Sequence, residues 1–474
     1  MLKQLSFTFF ILIYVSSCKS SSNTTTSKTA TLDHIFELAK KDDRQLLSFF
    51  TEMPKGGDLH HHASGTPYAE QFIENALADS AFINPKTYKL SKSKLADKDA
   101  IPIHEFLKSH PSQKDSIIDQ WSVRNHKSNG RSGHDWFFES FPKFDAAFVG
   151  HESELLSQIC EKAANDNIQY IETIINVPNV QDSVKLLADQ NSWEKDNRPT
   201  EEKLEAWLTY FEEKGIDKWA KANADSLDAF LSRTNTHGIK LKFQTFGLRI
   251  FEDQSLIFGH TILSFKTALL TDNLVGVNFV APEDNALALK NYKLHMQMFG
   301  FLKKKYPFVN VALHAGELVL GKGEAQPNDL TFHIDEALTI AKAKRIGHGV
   351  DISSEDRKDE ILKFMKENGL AVEINLESNE VILETDKSAH PIKTYWESGV
   401  PICISTDDEG VLRTNLINQY ILLTKYLPEI TYSEVKELVY NGIKYSFLSE
   451  KEKNETLKAL DQKFKLFESS FLNS

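Results

Sequence analysis

The chain has 474 residues, 41% of them apolar, enough for one large domain or two ordinary ones around a buried core, so intrinsic disorder is excluded for most of it. Its formal charge of −12, with sixteen histidines counted as neutral and the two signs of charge interspersed, argues against non-specific binding to nucleic acid or to an acidic membrane surface. Three cysteines, Cys18, Cys160 and Cys403, are too few for a disulfide framework, and their spacing does not resemble a zinc knuckle.

Met1-Leu2-Lys3 leads into an apolar run from Leu5 to Val15 that ends in Ser16-Ser17-Cys18. A positive start, a short apolar segment and small residues before the break describe an export signal, too short for a comfortable membrane span. Val15-Ser16-Ser17-Cys18 also resembles a bacterial lipobox, in which cleavage before the cysteine precedes its lipidation; a plain signal peptide is the alternative. The expected organisation is a signal peptide over 1–17, a lipidated Cys18 opening a flexible tether over 18–30, and one folded domain over 31–474. Such a protein is exported and anchored through Cys18 to a bacterial cell-envelope membrane.

Eight short strand-like runs follow, over 58–63, 170–177, 240–250, 275–281, 310–315, 345–350, 370–376 and 401–406. Helical patterns over 184–189, 264–270, 286–305, 334–343 and 361–367 lie between most of them. This alternation predicts an α/β fold with a mostly parallel sheet, and eight units predict a closed (β/α)₈ TIM barrel. The gaps over 66–169 and 178–239 are too long for ordinary crossovers and are expected to carry extra helices around or over the barrel mouth. In the first, Trp121, Asp135-Trp136-Phe137-Phe138 and the stretch from Phe141 to Phe148 form an aromatic cluster that either packs the core or walls a pocket. In the second, Trp193, Trp207 and Trp219 suit a helical hairpin with one buried face. Lys303-Lys304-Lys305 reads as a solvated helix end. From Tyr432 onward the pattern is helical, with Leu457, Leu460, Phe464, Phe467 and Phe471 on one face, expected to close one end of the barrel.

Four strand ends carry candidate chemistry. On a strand, His60 and His62 of His60-His61-His62 share a face while His61 points away, so two neutral imidazoles can converge on one ion such as Zn²⁺. His314-Ala315-Gly316-Glu317 offers a third ligand, a turn and a carboxyl over the mouth. Arg345-Ile346-Gly347-His348-Gly349 lets an imidazole approach a ligand closely between small neighbours. Ser405-Thr406-Asp407-Asp408 sets two carboxylates side by side, an arrangement that is costly to bury without a cation or donor. Each has an ordinary structural reading when taken alone. All four fall at the carboxyl ends of predicted barrel strands, the face where barrel enzymes place their chemistry.

Met53-Pro54-Lys55-Gly56-Gly57-Asp58-Leu59-His60-His61-His62, followed in order by the other three motifs, resembles the adenosine and AMP deaminase family, particularly the adenosine deaminase growth factor branch. The matches span residues 53 to 408. The resemblance implies one catalytic zinc per chain on His60, His62, His314 and Asp407. It makes Glu317 the acid that protonates purine N1, His348 the group that orients or deprotonates the water at the metal, and Asp408 the partner of N7.

Two departures bear on the substrate. Ser64, followed by the retained Gly65, stands where the family usually has an acidic residue that contacts the ribose. In Val275-Gly276-Val277-Asn278-Phe279-Val280-Ala281-Pro282-Glu283-Asp284, Ala281 occupies the place of a glycine whose backbone binds purine N3. Glu409-Gly410-Val411 replaces a proline common among relatives, and Ser378-Asn379 and His390-Pro391 look like family features that support the pocket. The expected activity is hydrolysis of a cyclic amidine C–N bond, taking adenosine or 2′-deoxyadenosine to the 6-oxo nucleoside and ammonia. A deaminase of another 6-aminopurine, another amidohydrolase, or a barrel that only binds nucleosides are the alternatives. The expected partner is a small purine nucleoside and not nucleic acid; a homodimer is compatible with the sequence.

Overall fold

A computed structural model of the chain describes residues 32–472. The segment predicted as export signal, lipidated Cys18 and tether lies outside the described residues. Eight parallel strands form the centre: β1 Gly56–His62, β2 Ile168–Ile174, β3 Lys240–Leu248, β4 Leu274–Val280, β5 Ala312–Ala315, β6 Arg345–His348, β7 Ala371–Ile374 and β8 Ile402–Ile404. They pair in sequence order as two four-stranded sheets. Single parallel bridges, Val277 to Val311 and His61 to Asp407, join those sheets into a ring, so the chain closes as the predicted (β/α)₈ barrel. β2 and β7 are buried along their whole length, as expected of strands covered on both faces.

Helix Gln254–Thr267 begins ten residues before the predicted pattern at 264–270, and the reason is its surroundings. Thirteen of its fourteen residues are buried, because helices Thr200–Glu213 and Ile216–Arg233 of the second insertion cover its outer side. A helix buried all round has no polar face, so its periodicity is lost. The pattern at 184–189 straddles a break: the helices are Pro178–Lys185 and Gln190–Lys195. The hairpin of Thr200–Glu213 and Ile216–Arg233 turns at Gly215, with Trp193 and Trp207 buried and Trp219 partly so. Lys304 and Lys305 end helix Ala286–Lys305 in ion pairs with Glu201 and Glu205.

The first insertion is not only helical: Phe82–Ile83, Leu90–Ser91 and Ile101–Pro102 make a small antiparallel sheet. Its aromatic cluster divides between the two expected roles. Trp121, Trp136 and Phe144 are core, whereas Phe137, Phe138 and Phe141 on helix Gly133–Phe144 face a cavity at the carboxyl ends of the strands.

The tail differs from expectation in detail. The amino end of the barrel is covered by helix Tyr432–Lys444, packed so tightly on β1 that a Cβ at Gly57 would lie 2.5 Å from Gly442 O. Phe447 continues this cover, its ring under the Arg345 guanidinium at 3.7 Å. The stripe of helix Glu450–Leu472 packs on those elements, where Phe464 stacks on Tyr440 and Phe467 and Phe471 meet Phe49 of helix Asp43–Glu52, while Glu452 near its start pairs with Lys240 and Lys242 of β3.

Candidate active site

The seam that closes the barrel also assembles the site. The Asp407 N–H donates to His60 O at 2.9 Å and the His62 N–H to Asp407 O at 3.1 Å, which fixes β1 against the end of β8. Strand alternation turns His60 and His62 to one face and His61 to the other, where its Nδ1 meets Thr173 Oγ1 at 2.9 Å. One donor atom from each of His60, His62, His314 and Asp407 lies within 4.8 Å of the others. His62 Nε2 is 3.2 Å from His314 Nε2 and 3.3 Å from Asp407 Oδ1, and His60 Nε2 is 3.7 Å from the same oxygen.

Outer hydrogen bonds set the tautomers. His60 Nδ1 donates to Glu373 Oε2 at 2.8 Å and His314 Nδ1 donates to Asn278 Oδ1 at 2.9 Å, so each Nε2 keeps a free lone pair. His60 Nε2 is buried with no hydrogen-bond partner. Burial holds His62 down near 4 and His314 well below the usual histidine range, so both are neutral at pH 7. His60 is the exception: burial opposes its charge, but the bond to Glu373 and the fields of Asp407 and Glu373 outweigh it and raise its pKa. Burial pushes the Asp407 carboxyl up, yet His60, His62 and His348 draw it below the carboxylate range. Three imidazoles and one carboxylate in a buried cluster, with an orphaned nitrogen lone pair, are a set of donors that a divalent cation satisfies and a proton network does not.

Behind the donors, a belt of buried polar side chains runs through the barrel interior. Glu373 pairs with Arg345, which also pairs with Glu172. Gln244 Nε2 donates to Glu172 Oε2 at 3.0 Å, and Asn278 Nδ2 donates to Gln244 Oε1 at 3.1 Å. His60 and His314 are thus the two ends of one hydrogen-bonded chain. Gly347 keeps His60 in place by absence, since a Cβ there would lie 2.7 Å from His60 Cε1.

Glu317 is presented by a second device. The N–H groups of Gly316 and Glu317 donate to the two oxygens of Glu283 at 3.1 and 2.9 Å, and Glu283 is held by His333 Nδ1 at 2.6 Å and Arg249 Nη1 at 3.5 Å. Burial first, and the Asp407 charge second, raise the Glu317 carboxyl well above its ordinary range, which favours its protonated form. The same two causes raise Asp408.

His348 lies at the end of a relay whose direction is set by a backbone donor. The Ile392 N–H donates to His390 Nδ1 at 3.1 Å, so His390 Nε2 donates to Asn379 Oδ1 at 3.1 Å and Asn379 Nδ2 donates to His348 Nδ1 at 2.9 Å. The neutral His348 ring, held near 3 by burial, therefore carries its proton on Nε2, 3.8 Å from Asp407 Oδ2.

These groups share a cavity of about 460 Å³, roofed by Phe137, Phe138 and Phe141. His62, His314, Glu317, His348, Asp407 and Asp408 stand on its wall with Ser64 and Ala281, and none of its lining residues is Lys or Arg. Gly65, expected with Ser64 among the substrate-binding residues, is not on the wall but behind Asp408, where a Cβ would sit 1.7 Å from Asp408 Oδ1. His60 is likewise behind the wall, reaching the ion position from below.

Three site residues have left-handed backbones: Ala281 with φ 80°, His348 with φ 69° and Asp407 with φ 63°. Ala281 thus keeps the conformation that favours glycine, which costs a residue bearing a Cβ about 1–2 kcal/mol. Glycine also gains freedom in the unfolded chain, so Ala281→Gly is expected to stabilise the fold by a net ~0.5–1 kcal/mol. A rise in the urea midpoint checks this, and an unchanged or lower midpoint contradicts the strain.

The residues not anticipated from sequence are Glu172, Gln244, Asn278, Arg345 and Glu373 of the belt and Arg249, Glu283 and His333 of the clamp. For the belt the one signal is a polar side chain within a strand, such as Glu373 in Ala371-Val372-Glu373-Ile374, whereas Arg249, Glu283 and His333 lie outside the strands and carry no such signal.

The family model for adenosine deaminase matches residues 222–463. An adenosine deaminase of Clostridium kluyveri is 32% identical over 164 residues, which is 34% of this chain and 42% of that protein, so the chain aligns with less than half of that relative's length. The N6-methyl-AMP deaminase of Arabidopsis thaliana superposes with a TM-score of 0.55 at 18% identity, over 88% of this chain and 98% of the other. An adenine deaminase from Arthrobacter aurescens superposes with a TM-score of 0.53 at 15% identity, over 87% and 99%.

Proposed function

The chain belongs to the adenosine deaminase family, and on that premise we propose that it is a zinc-dependent hydrolase that converts adenosine or 2′-deoxyadenosine to the 6-oxo nucleoside and ammonia. His60, His62, His314 and Asp407 would hold the ion. Bound there, zinc would lower the pKa of water enough to make it nucleophilic near neutral pH. The remaining chemistry belongs to the side chains.

Attack at purine C6 breaks the ring's aromaticity and moves charge to N1. Glu317, kept protonated by burial, donates its proton there as C6 becomes tetrahedral. Asp408, whose carboxyl is likewise raised by burial, would donate its O–H to the N7 lone pair. His348 holds its proton on Nε2, which suits it to orient the attacking water by donating to the oxygen rather than to remove a proton from it. The C6–N bond then breaks: the proton of the C6 hydroxyl passes to the amino nitrogen, which leaves as ammonia while the oxygen becomes the 6-oxo group, and the proton that the water gave up on activation restores Glu317.

The observation that carries the choice of a nucleoside over a nucleotide is the absence of a cationic side chain from the cavity wall. Its ionisable side chains are the carboxyls Glu317, Asp407, Asp408 and Asp145 and the imidazoles of His62, His314 and His348, with no Lys or Arg among the lining residues. A phosphate dianion there would be desolvated without a cationic side chain to pair with. Adenosine is therefore expected to exceed AMP in kcat/KM by at least about 10³-fold. Comparable rates on the two would overturn the nucleoside assignment. Export and lipid attachment at Cys18 belong to the same proposal and rest on the sequence alone.

A further inference from the structure

A second cavity of about 400 Å³ abuts the first and shares four lining residues with it, Ser64, Asp145, Phe246 and Leu248. It lies over the carboxyl ends of β2 and β3, away from the ion-binding cluster. Its apolar surface comes from Phe148, Ile174, Ile175, Phe246, Leu248 and Phe251. Its one basic side chain, Lys185, is paired with Asp182 at 2.7 Å. His260 is held near 4 by burial and is neutral. Gln181, only 9% exposed, has a side-chain Nε2 with no hydrogen-bond partner, while its backbone carbonyl accepts from His260 Nε2 at 3.1 Å. A buried amide donor left unmade is costly, and a ligand acceptor satisfies it.

We propose that this cavity is a subsite for a neutral, mainly apolar substituent on the sugar's 5′ carbon, so that the substrate class includes phosphate-free 5′-substituted adenosines. This rests on the deaminase reading. In a purine nucleoside the amino-bearing C6 and the sugar-bearing N9 lie at opposite ends of the base, so an amino group at the ion-binding cluster directs the sugar away from it. The 5′ carbon is the exocyclic arm of that sugar and reaches furthest from the base. Ser64, at the position that the resemblance assigns to the ribose, lines both cavities. Its short neutral side chain leaves the junction open where an acidic one would narrow it, which gives this departure from the family pattern a physical role. An ether or thioether in the arm would present an acceptor to Gln181, and its alkyl part would cover the apolar wall.

The test uses the zinc-loaded Glu317→Gln protein, titrated calorimetrically with adenosine and with 5′-deoxy-5′-alkylthioadenosines carrying methyl, ethyl and butyl arms. Wild-type kcat/KM is measured on the same compounds. Affinity is expected to rise along the series by roughly threefold to fourfold for each methylene buried. Gln181→Phe, which fills the cavity without touching the backbone bond to His260, is expected to lower the butyl-to-adenosine affinity ratio at least tenfold. Ser64→Asp, which narrows the junction from the other side, should move that ratio the same way. A tenfold loss from adenosine to the butyl compound overturns the subsite, as does a ratio that neither variant shifts; wild-type turnover of adenosine in that case leaves the deaminase reading intact. Tight binding of the butyl compound with no ammonia from any compound supports the subsite and sinks the deaminase reading instead.

Discussion

Glu317→Gln is expected to lower kcat/KM for adenosine by about 10³-fold while metal content and thermal midpoint stay near those of the parent. The glutamine keeps the shape of the side chain and its backbone N–H bond to Glu283, but it has no proton to give to N1. General acid catalysis contributes about 10²–10⁴-fold, and here the same group also takes up charge that forms only in the transition state. A sign follows for pH. Because the Glu317 pKa is raised and the protonated form is active, kcat/KM is full below that pKa and falls as pH rises through it. Initial rates paired with metal analysis measure the effect, and a variant that keeps a tenth or more of parental activity contradicts the role of Glu317.

Complete removal of the metal by chelation is expected to cost more than about 10³-fold, since a Lewis acid at this position supplies several kcal/mol of transition-state stabilisation. One equivalent of Zn²⁺ should restore the rate. The thermal midpoint should fall with the ion and return with it, because the four donors converge only in the folded barrel and binding to that state alone stabilises it. His314→Ala should mimic the chelated protein in both readouts and resist rescue. Full activity at under a tenth of an equivalent of metal would contradict the assignment of the cluster.

The barrel is legible in the sequence because most of its strands are short, largely apolar runs that alternate with helical patterning, and the predicted run 310–315 contains the observed Ala312–Ala315. The four motifs are legible for a related reason: each has an ordinary reading alone, but all four fall at the carboxyl ends of predicted strands. What joins them is not. Glu172 and Glu373 each read as one charge within a strand, and only the folded ring brings both to Arg345 and Glu373 to His60. Glu283 lies in a stretch singled out for Ala281, but its grip on the Gly316 and Glu317 amides crosses from the end of β4 to the end of β5, a contact that no local pattern encodes. The left-handed backbones of His348 and Asp407 are equally hidden: His and Asp adopt a positive φ more often than most side-chain-bearing residues, but too rarely for the residue type alone to point to it. The cover of the barrel's amino end is not legible either, because helices Tyr432–Lys444 and Glu450–Leu472 both carry an apolar stripe, and periodicity does not say which stripe meets which surface.

The measurement that bears most directly on the central claim is initial-rate ammonia release from adenosine by protein carrying one equivalent of zinc, with the chelated protein and Glu317→Gln alongside. The structure predicts saturable release from the zinc-loaded parent, lost in both controls. No release from zinc-replete, folded protein at saturating adenosine, or release that persists in the Glu317→Gln variant, would contradict it.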